Sequence, residues 1–188
     1  MEFVAAVAAV CAVLLVIAPL LISGCARSVS DTETVDGGVI HHVDMDAPKT
    51  VKSTEIRSFS CSFSATDLSV TQSPIAGRYY TLYAAEGQAS YEAISGSSIR
   101  AERKFAPDGA FFKALQQIVA KYDLAQYNGQ FYTVSGLPPH LGAKLDITYA
   151  SGESIQCSNN QSCFIPLEAM EELVALFYPE DAENKVQE

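Results

Sequence analysis

The sequence predicts an α+β fold: an antiparallel sheet of about five strands with two amphipathic helices packed on one face, in the order β-β-β-α-β-β-α. Three observations carry this. "RSFSCSFS" (57–64) alternates with period two, placing Phe59, Cys61 and Phe63 on one side and serines on the other. Two segments, opening at Asp108 and near Pro166, repeat their apolar residues at helical spacing. Between them "AKLDITYASGESIQC" (143–157) reads as a hairpin.

The elements follow in order. After "RSFSCSFS", "RYYTLYAAE" (78–86) and "ASYEAIS" (89–95) form a hairpin around Gly87-Gln88, and "IRAERKF" (99–105) can continue the sheet. Asp108 is a good N-cap for a first helix, whose Phe111, Leu115, Ile118, Val119 and Tyr122 share a face; Asn128-Gly129 marks a stop or turn beyond it. In the 143–157 hairpin a two-residue loop would set Tyr149 and Ile147 beside Ser154 and Gln156. A three-residue loop, Ala150-Ser151-Gly152, instead pairs Ile147 with Ile155 and Leu145 with Cys157. Register follows the buried face, so the longer loop is expected, with Gly152 left-handed and Cys157 inward. Pro166 suits the start of the second helix, whose stripe is Leu167, Met170, Leu173, Val174 and Phe177; Pro179 ends it.

Residues 3–22 are uncharged and almost wholly apolar, long enough to span a bilayer or to serve as a signal peptide. The run closes on Ile22-Ser23-Gly24-Cys25, which resembles the lipobox of bacterial lipoproteins: an aliphatic residue, two small ones, then the acylated cysteine. The resemblance implies cleavage before Cys25, its lipidation, and a membrane-anchored domain outside the cytoplasm, since two or more acyl chains hold a protein stably. Met1-Glu2-Phe3 carries an acid where a signal peptide carries Lys or Arg, so an uncleaved anchor and simple secretion stay open. The expected division is a signal peptide at 1–24, a lipidated cysteine and flexible tether at 25–52, one globular domain at 53–178, and an acidic tail at 179–188. "YASGESI", "NNQ" and "FIP" with the closing helix, over about residues 131–178, resemble uncharacterised exported proteins of anaerobic bacteria. That group lends no activity.

The chain has a formal charge of −10, and a chain beginning at Cys25 would have −9. Six of those nine net negative charges arise from residue 168 onward. Such a balance excludes nucleic acid as a partner, because phosphate binding needs a basic footprint. "IRAERKF" is basic but interleaves Glu102 and reads as a solvated strand face.

Among chemistry-bearing residues, Cys61, Cys157 and Cys163 are candidates for a disulfide in an exported domain, either within "CSNNQSC" or between the two inward cysteines; plain buried thiols are the alternative. His41, His42, Asp44 and Asp46 have metal-ligand types, but they fall in the expected tether, which cannot preorganise ligands, so no metal or other cofactor is expected. His140 in "LPPHLG" stands alone. Glu153 and Asp146 lie on one hairpin, with nothing to show the cleft that a glycosidase needs. No nucleophile elbow, zinc-protease or phosphate-loop pattern occurs. Tyrosines are numerous and tryptophan is absent; Tyr79, Tyr83 and Tyr149 are candidates for a ligand face, each with apolar area and a hydroxyl. The expectation is therefore a non-catalytic envelope lipoprotein that meets the membrane through its N-terminal lipid and binds a protein, peptide or glycan. The alternatives are an exported hydrolase built around His140 or a cysteine, and a purely structural envelope component.

Overall fold

The structure, a computed structural model, describes residues 31–36, 38–66, 71–137 and 140–179. The expected signal peptide, Cys25 and the acidic tail beyond Pro179 lie outside the described residues. Among those described, no helix is long and apolar enough to cross a membrane.

The α+β class stands, but the five-stranded antiparallel sheet is corrected: among the described residues nine strands form one mixed sheet, ordered β1-β2-β7-β9-β8-β3-β4-β5-β6. The strands are β1 (Asp31–Asp36), β2 (Val39–Asp44), β3 (Ile56–Ser64), β4 (Tyr79–Ala85), β5 (Gln88–Ser95), β6 (Ser98–Phe105), β7 (Gln130–Val134), β8 (Ala143–Tyr149) and β9 (Ser154–Asn159). Among the described residues the helices are α1 (Gly109–Lys121) and α2 (Leu167–Phe177), with a 3-10 turn at Leu124–Tyr127. All neighbouring strands are antiparallel except β7 and β9. β8 lies beside β3, and β9 returns by the hairpin to fill the place between β8 and β7, which makes β7 and β9 parallel without a crossover helix.

Two of the additional strands lie in the segment expected to be tether. β2 pairs with β1 on one side and β7 on the other, so residues 39–44 belong to the sheet. Its side chains are nearly all half-buried, with no one-sided apolar face, and so its sequence shows no period. β7 behaves alike over only five residues.

The expected hairpin register is the observed one: Ile147 faces Ile155, Leu145 faces Cys157, and Gly152 takes φ +88° in a three-residue loop. The core lies between one sheet face and the helices. Phe59, Cys61, Phe63, Leu82, Leu145, Ile147 and Ile155 are all buried there with Leu115 of α1 and Leu173 and Phe177 of α2. The Asp108 side chain accepts from the Phe111 N–H at 2.8 Å, capping α1 as the sequence suggests. Glu172 accepts from Lys121 and, at 2.8 Å, from the Tyr122 hydroxyl, joining the end of α1 to α2.

The parallel pair is short, with only Phe131↔Ser158 and Tyr132↔Asn159 in register. Asparagine side chains extend it at both ends. Asn160 accepts from the Val134 N–H at 2.7 Å and donates to the Val134 carbonyl at 2.9 Å, as a strand residue would. Asn128, 5 % exposed, donates to the Pro48 and Ser154 carbonyls at 2.9 and 3.0 Å and accepts from the Gln156 N–H at 2.8 Å. Gly142 closes in beside them: a Cβ there would lie 1.9 Å from the Asn159 carbonyl oxygen.

Two outcomes check this junction. Asn128→Ala leaves one N–H and two carbonyls of part-buried bonds without their partner and is expected to cost about 1–3 kcal/mol in urea unfolding; a loss within experimental error would remove Asn128 from the account. Gly142→Ala and Gly136→Ala both carry the left-handed penalty of about 1–2 kcal/mol, since both glycines have positive φ. Only Gly142→Ala also meets backbone. Its unfolding midpoint should therefore fall well below that of Gly136→Ala, and equal midpoints would refute the close approach.

Candidate functional site: a polar groove beside the first helix

Along β3, Arg57 falls in phase with Phe59, Cys61 and Phe63, so strict alternation would aim a guanidinium at the core. A bulge resolves the conflict. Phe59 pairs with Ile147, Ser58 with Thr148, and then Ile56 with Tyr149, leaving Arg57 as the extra residue. Ile56 takes the buried place at 5 % exposure, and Arg57 turns to the rim.

There it lines a groove of about 1240 Å³ with Glu55, Glu86 and one stripe of α1. Gly109, Phe112, Lys113 and Gln116 form that stripe, one to two turns apart on a single helix side. The apolar stripe of Leu115, Ile118 and Val119 lies beside it and enters the core. Among the described residues, the side chains of Glu55, Arg57, Glu86 and Lys113 form no ion pair or hydrogen bond with one another or with any other group.

Beneath the stripe sits Tyr149, 2 % exposed. Its hydroxyl and Oε1 of Gln116 are both buried; the Gln116 amide N–H is turned towards the hydroxyl without a well-formed hydrogen bond, and Tyr149 does not itself line the groove. Burial pushes the Tyr149 hydroxyl up to about 12 and the Glu153 charge adds to this, while the Gln116 amide works the other way. A half-turn of the Gln116 amide sets its oxygen against the hydroxyl, so the two groups can satisfy each other without a third partner.

Tyr79, Tyr83 and Tyr149 therefore do not make one ligand face. Tyr149 follows Leu145 and Ile147 onto the core side of β8. Tyr79 and Tyr83 alternate with the buried Tyr80, Leu82 and Ala84, and so lie on the opposite, helix-free face of the sheet. That face is rich in hydroxyls: Tyr83 is paired with Ser60 and Ser90, and Ser62 with Thr81. Tyr79 packs against the ring of His140 at 4.6 Å.

The cysteines are likewise separated. Cys61 and Cys157 both point inward and are buried free thiols. Both are paired with Leu145, because β8 runs between β3 and β9. Two strand spacings put them about 9–10 Å apart, beyond the 7 Å that a disulfide spans. Cys163 is half-buried, its sulfur 3.7 Å from both the Ile165 carbonyl oxygen and Met170 Sδ.

The remaining candidates are engaged elsewhere. Glu153 accepts from the Lys52 and Ser53 N–H groups at 3.0 Å and from the Ser151 hydroxyl at 2.8 Å, and those bonds, Lys52 first, hold its carboxyl below the usual range. Gln156 donates to Asp146 at 3.3 Å. His41 and His42 stand on β2 against Tyr132 and Phe131. Among the described residues no three His, Cys, Asp or Glu side chains are grouped to hold a metal ion. His140, with φ +66°, lines neither the groove nor the small 280 Å³ pocket beside Cys163. Comparison with protein-family models, curated proteins and solved structures finds no match for the chain.

Arg57, Lys113 and Gln116 were not among the residues singled out from sequence. One signal was available: a lone Arg in the apolar phase of an otherwise regular strand.

Two measurements check the buried groups. Burial pushes Cys157 up to about 12 and Cys61 well above its ordinary value. Both thiols should resist a thiol reagent at about pH 8 in native protein and react once urea unfolds it; rapid native labelling of either would place it outside the core. Tyr149→Phe removes a buried hydroxyl and is expected to leave stability unchanged or raise it by about 1 kcal/mol. Because the folded value lies above the unfolded value of about 10, the tyrosine stabilises below pH 10 and loses that contribution as pH rises towards 12. The phenylalanine variant should lose less stability across that window, and parallel curves would show that Tyr149 is not the titrating group.

Proposed function

We propose that the chain is a membrane-anchored envelope lipoprotein whose α+β domain binds a ligand in the groove beside α1 without transforming it. The lipobox-like Ile22-Ser23-Gly24-Cys25 supports the anchor and a position outside the cytoplasm. One observation supports the binding role above others: a groove with unpaired charges of both signs at its rim. Among the described residues its lining holds no cysteine, serine or histidine, and the residues considered for hydrolysis, His140, Cys61, Cys157 and Cys163, are not part of it. The wall of Phe112 with a few polar groups is the mixture that small-ligand sites use for area and orientation.

Intact mass of the protein taken from its native membrane tests the anchor. A chain starting at Cys25 with diacylglyceryl mass added is expected; a full-length mass without lipid would sink the lipoprotein reading. Thermal unfolding against short peptides and neutral oligosaccharides tests the binding role. At least one class should raise the midpoint, and indifference to both would overturn it.

A further inference from the structure

The rim of the groove contains an open length of sheet edge. The ladder between β3 and β4 stops at Ser58↔Ala85, where β4 enters its turn. On its other side β3 stays paired further, through Ile56↔Tyr149, and the Ala150 N–H donates to the Glu55 carbonyl at 2.9 Å. Thr54–Arg57 is therefore held by β8 and its hairpin on one side and has no strand neighbour on the other, the side on which Glu86 and α1 close the groove. An extended chain laid there would continue the line of β4, the mode in which a peptide adds a strand to a sheet edge.

We propose that this groove takes a short extended peptide with both a positive and a negative end, bound alongside Thr54–Arg57. The inference rests on the binding role assigned to the groove and narrows it to one ligand chemistry. Three features favour a peptide over a neutral sugar. Its backbone amides match the Thr54–Arg57 strand edge, which has no strand neighbour on the groove side. The rim has cations and carboxylates together, Arg57 and Lys113 with Glu55 and Glu86, and none of the four is paired. A ligand with one sign of charge would match only half of that set, whereas a peptide with free ends matches both. Phe112 is the one aromatic side chain in the lining, where sugar recognition by stacking calls for a platform.

Size and position agree. At about 1240 Å³ the groove exceeds the roughly 300–1,000 Å³ of drug-sized sites, more than a single amino acid fills. The first turn of α1 opens into it at Gly109, where no side chain stands between the helix N-terminus and the groove. The Asp108 carboxylate occupies the Phe111 N–H, so the amides of Gly109 and Ala110 remain outside the helix ladder. With Arg57 and Lys113 they offer partners to a carboxylate, and Glu55 and Glu86 offer partners to an ammonium group.

The test uses the full chain in detergent and three probes by titration calorimetry: trialanine, N-acetyl-trialanine amide, and chitotriose. Trialanine should bind, the doubly blocked peptide at least tenfold more weakly. Arg57→Gln and Lys113→Gln should each weaken trialanine several-fold while leaving the unfolding midpoint unchanged. Equal binding of blocked and free peptide would overturn recognition of the charged ends. Binding of chitotriose, lost in Gln116→Leu, with no binding of trialanine would overturn the peptide inference while leaving the binding role intact. No heat with any probe would overturn both.

Discussion

The fold depends on a junction two residue pairs long. β7 and β9 are the parallel neighbours in the sheet, and everything on the far side of β7, strands β2 and β1, is tied to the main body through them. Two register pairs supply too few backbone bonds to fix such a joint. Asn160 and Asn128 provide the rest by using side-chain amides as additional peptide groups. An amide side chain is suited to this because it carries a donor and an acceptor in one plane, as a backbone unit does. Burial of Asn128 strengthens each bond and raises the cost of losing any of them. Glycine completes the joint: Gly129 at φ +75° donates to the Gln156 carbonyl and accepts from the Asp44 N–H, each at 2.8 Å, where a Cβ would meet Ala47 at 2.5 Å.

From that joint the register runs across the sheet without choice. β9 sets β8 through Leu145↔Cys157, β8 sets β3 through Cys61↔Leu145, and β3 sets β4 through Cys61↔Leu82. Each pair places one apolar row over the same helices, since a slip by one residue would turn every row outward. The order breaks where β3 reaches Arg57. A guanidinium on the core phase costs several kcal/mol unless it is paired, and no carboxylate pairs with it there. The bulge removes the conflict by adding one residue, so that Ile56 takes the next core place and Arg57 is left at the rim. The groove is thus the place where sheet and helix part company because a charge cannot be buried between them.

How much of this the sequence shows follows from how local each signal is. β3, the hairpin register, the Asp108 cap and both helix stripes are legible because each rests on neighbours within a few residues. β2 and β7 are not, because strands half-buried on both faces have no period to read. Their place depends on Asn128 and Asn160, whose partners lie tens of residues away. The site was partly legible. The register argued for Ile147↔Ile155 already sends Tyr149 inward, on the same side as Leu145 and Ile147, so grouping it with Tyr79 and Tyr83 conflicted with that register. Arg57 was visible in the alternation, but its meaning needed the end of β4 at Ala85, which no residue near Arg57 announces.

The helix-free face and the groove are both uncovered surfaces, and physical cost distinguishes them. On the open face Ser60, Ser62, Thr81 and Tyr83 stand where water satisfies their hydroxyls, so that surface is stable as it is and needs no partner. At the groove the Glu55, Arg57, Glu86 and Lys113 side chains meet no charged partner, and the Thr54–Arg57 backbone has no strand neighbour on that side. The charges stand in water at little cost, whereas an open strand edge is a row of unpaired backbone groups able to pair with another chain. The same reasoning explains why the groove sits at the bulge: Arg57 needs an exit from the core, and the edge left open by β4 gives an incoming strand its backbone partners.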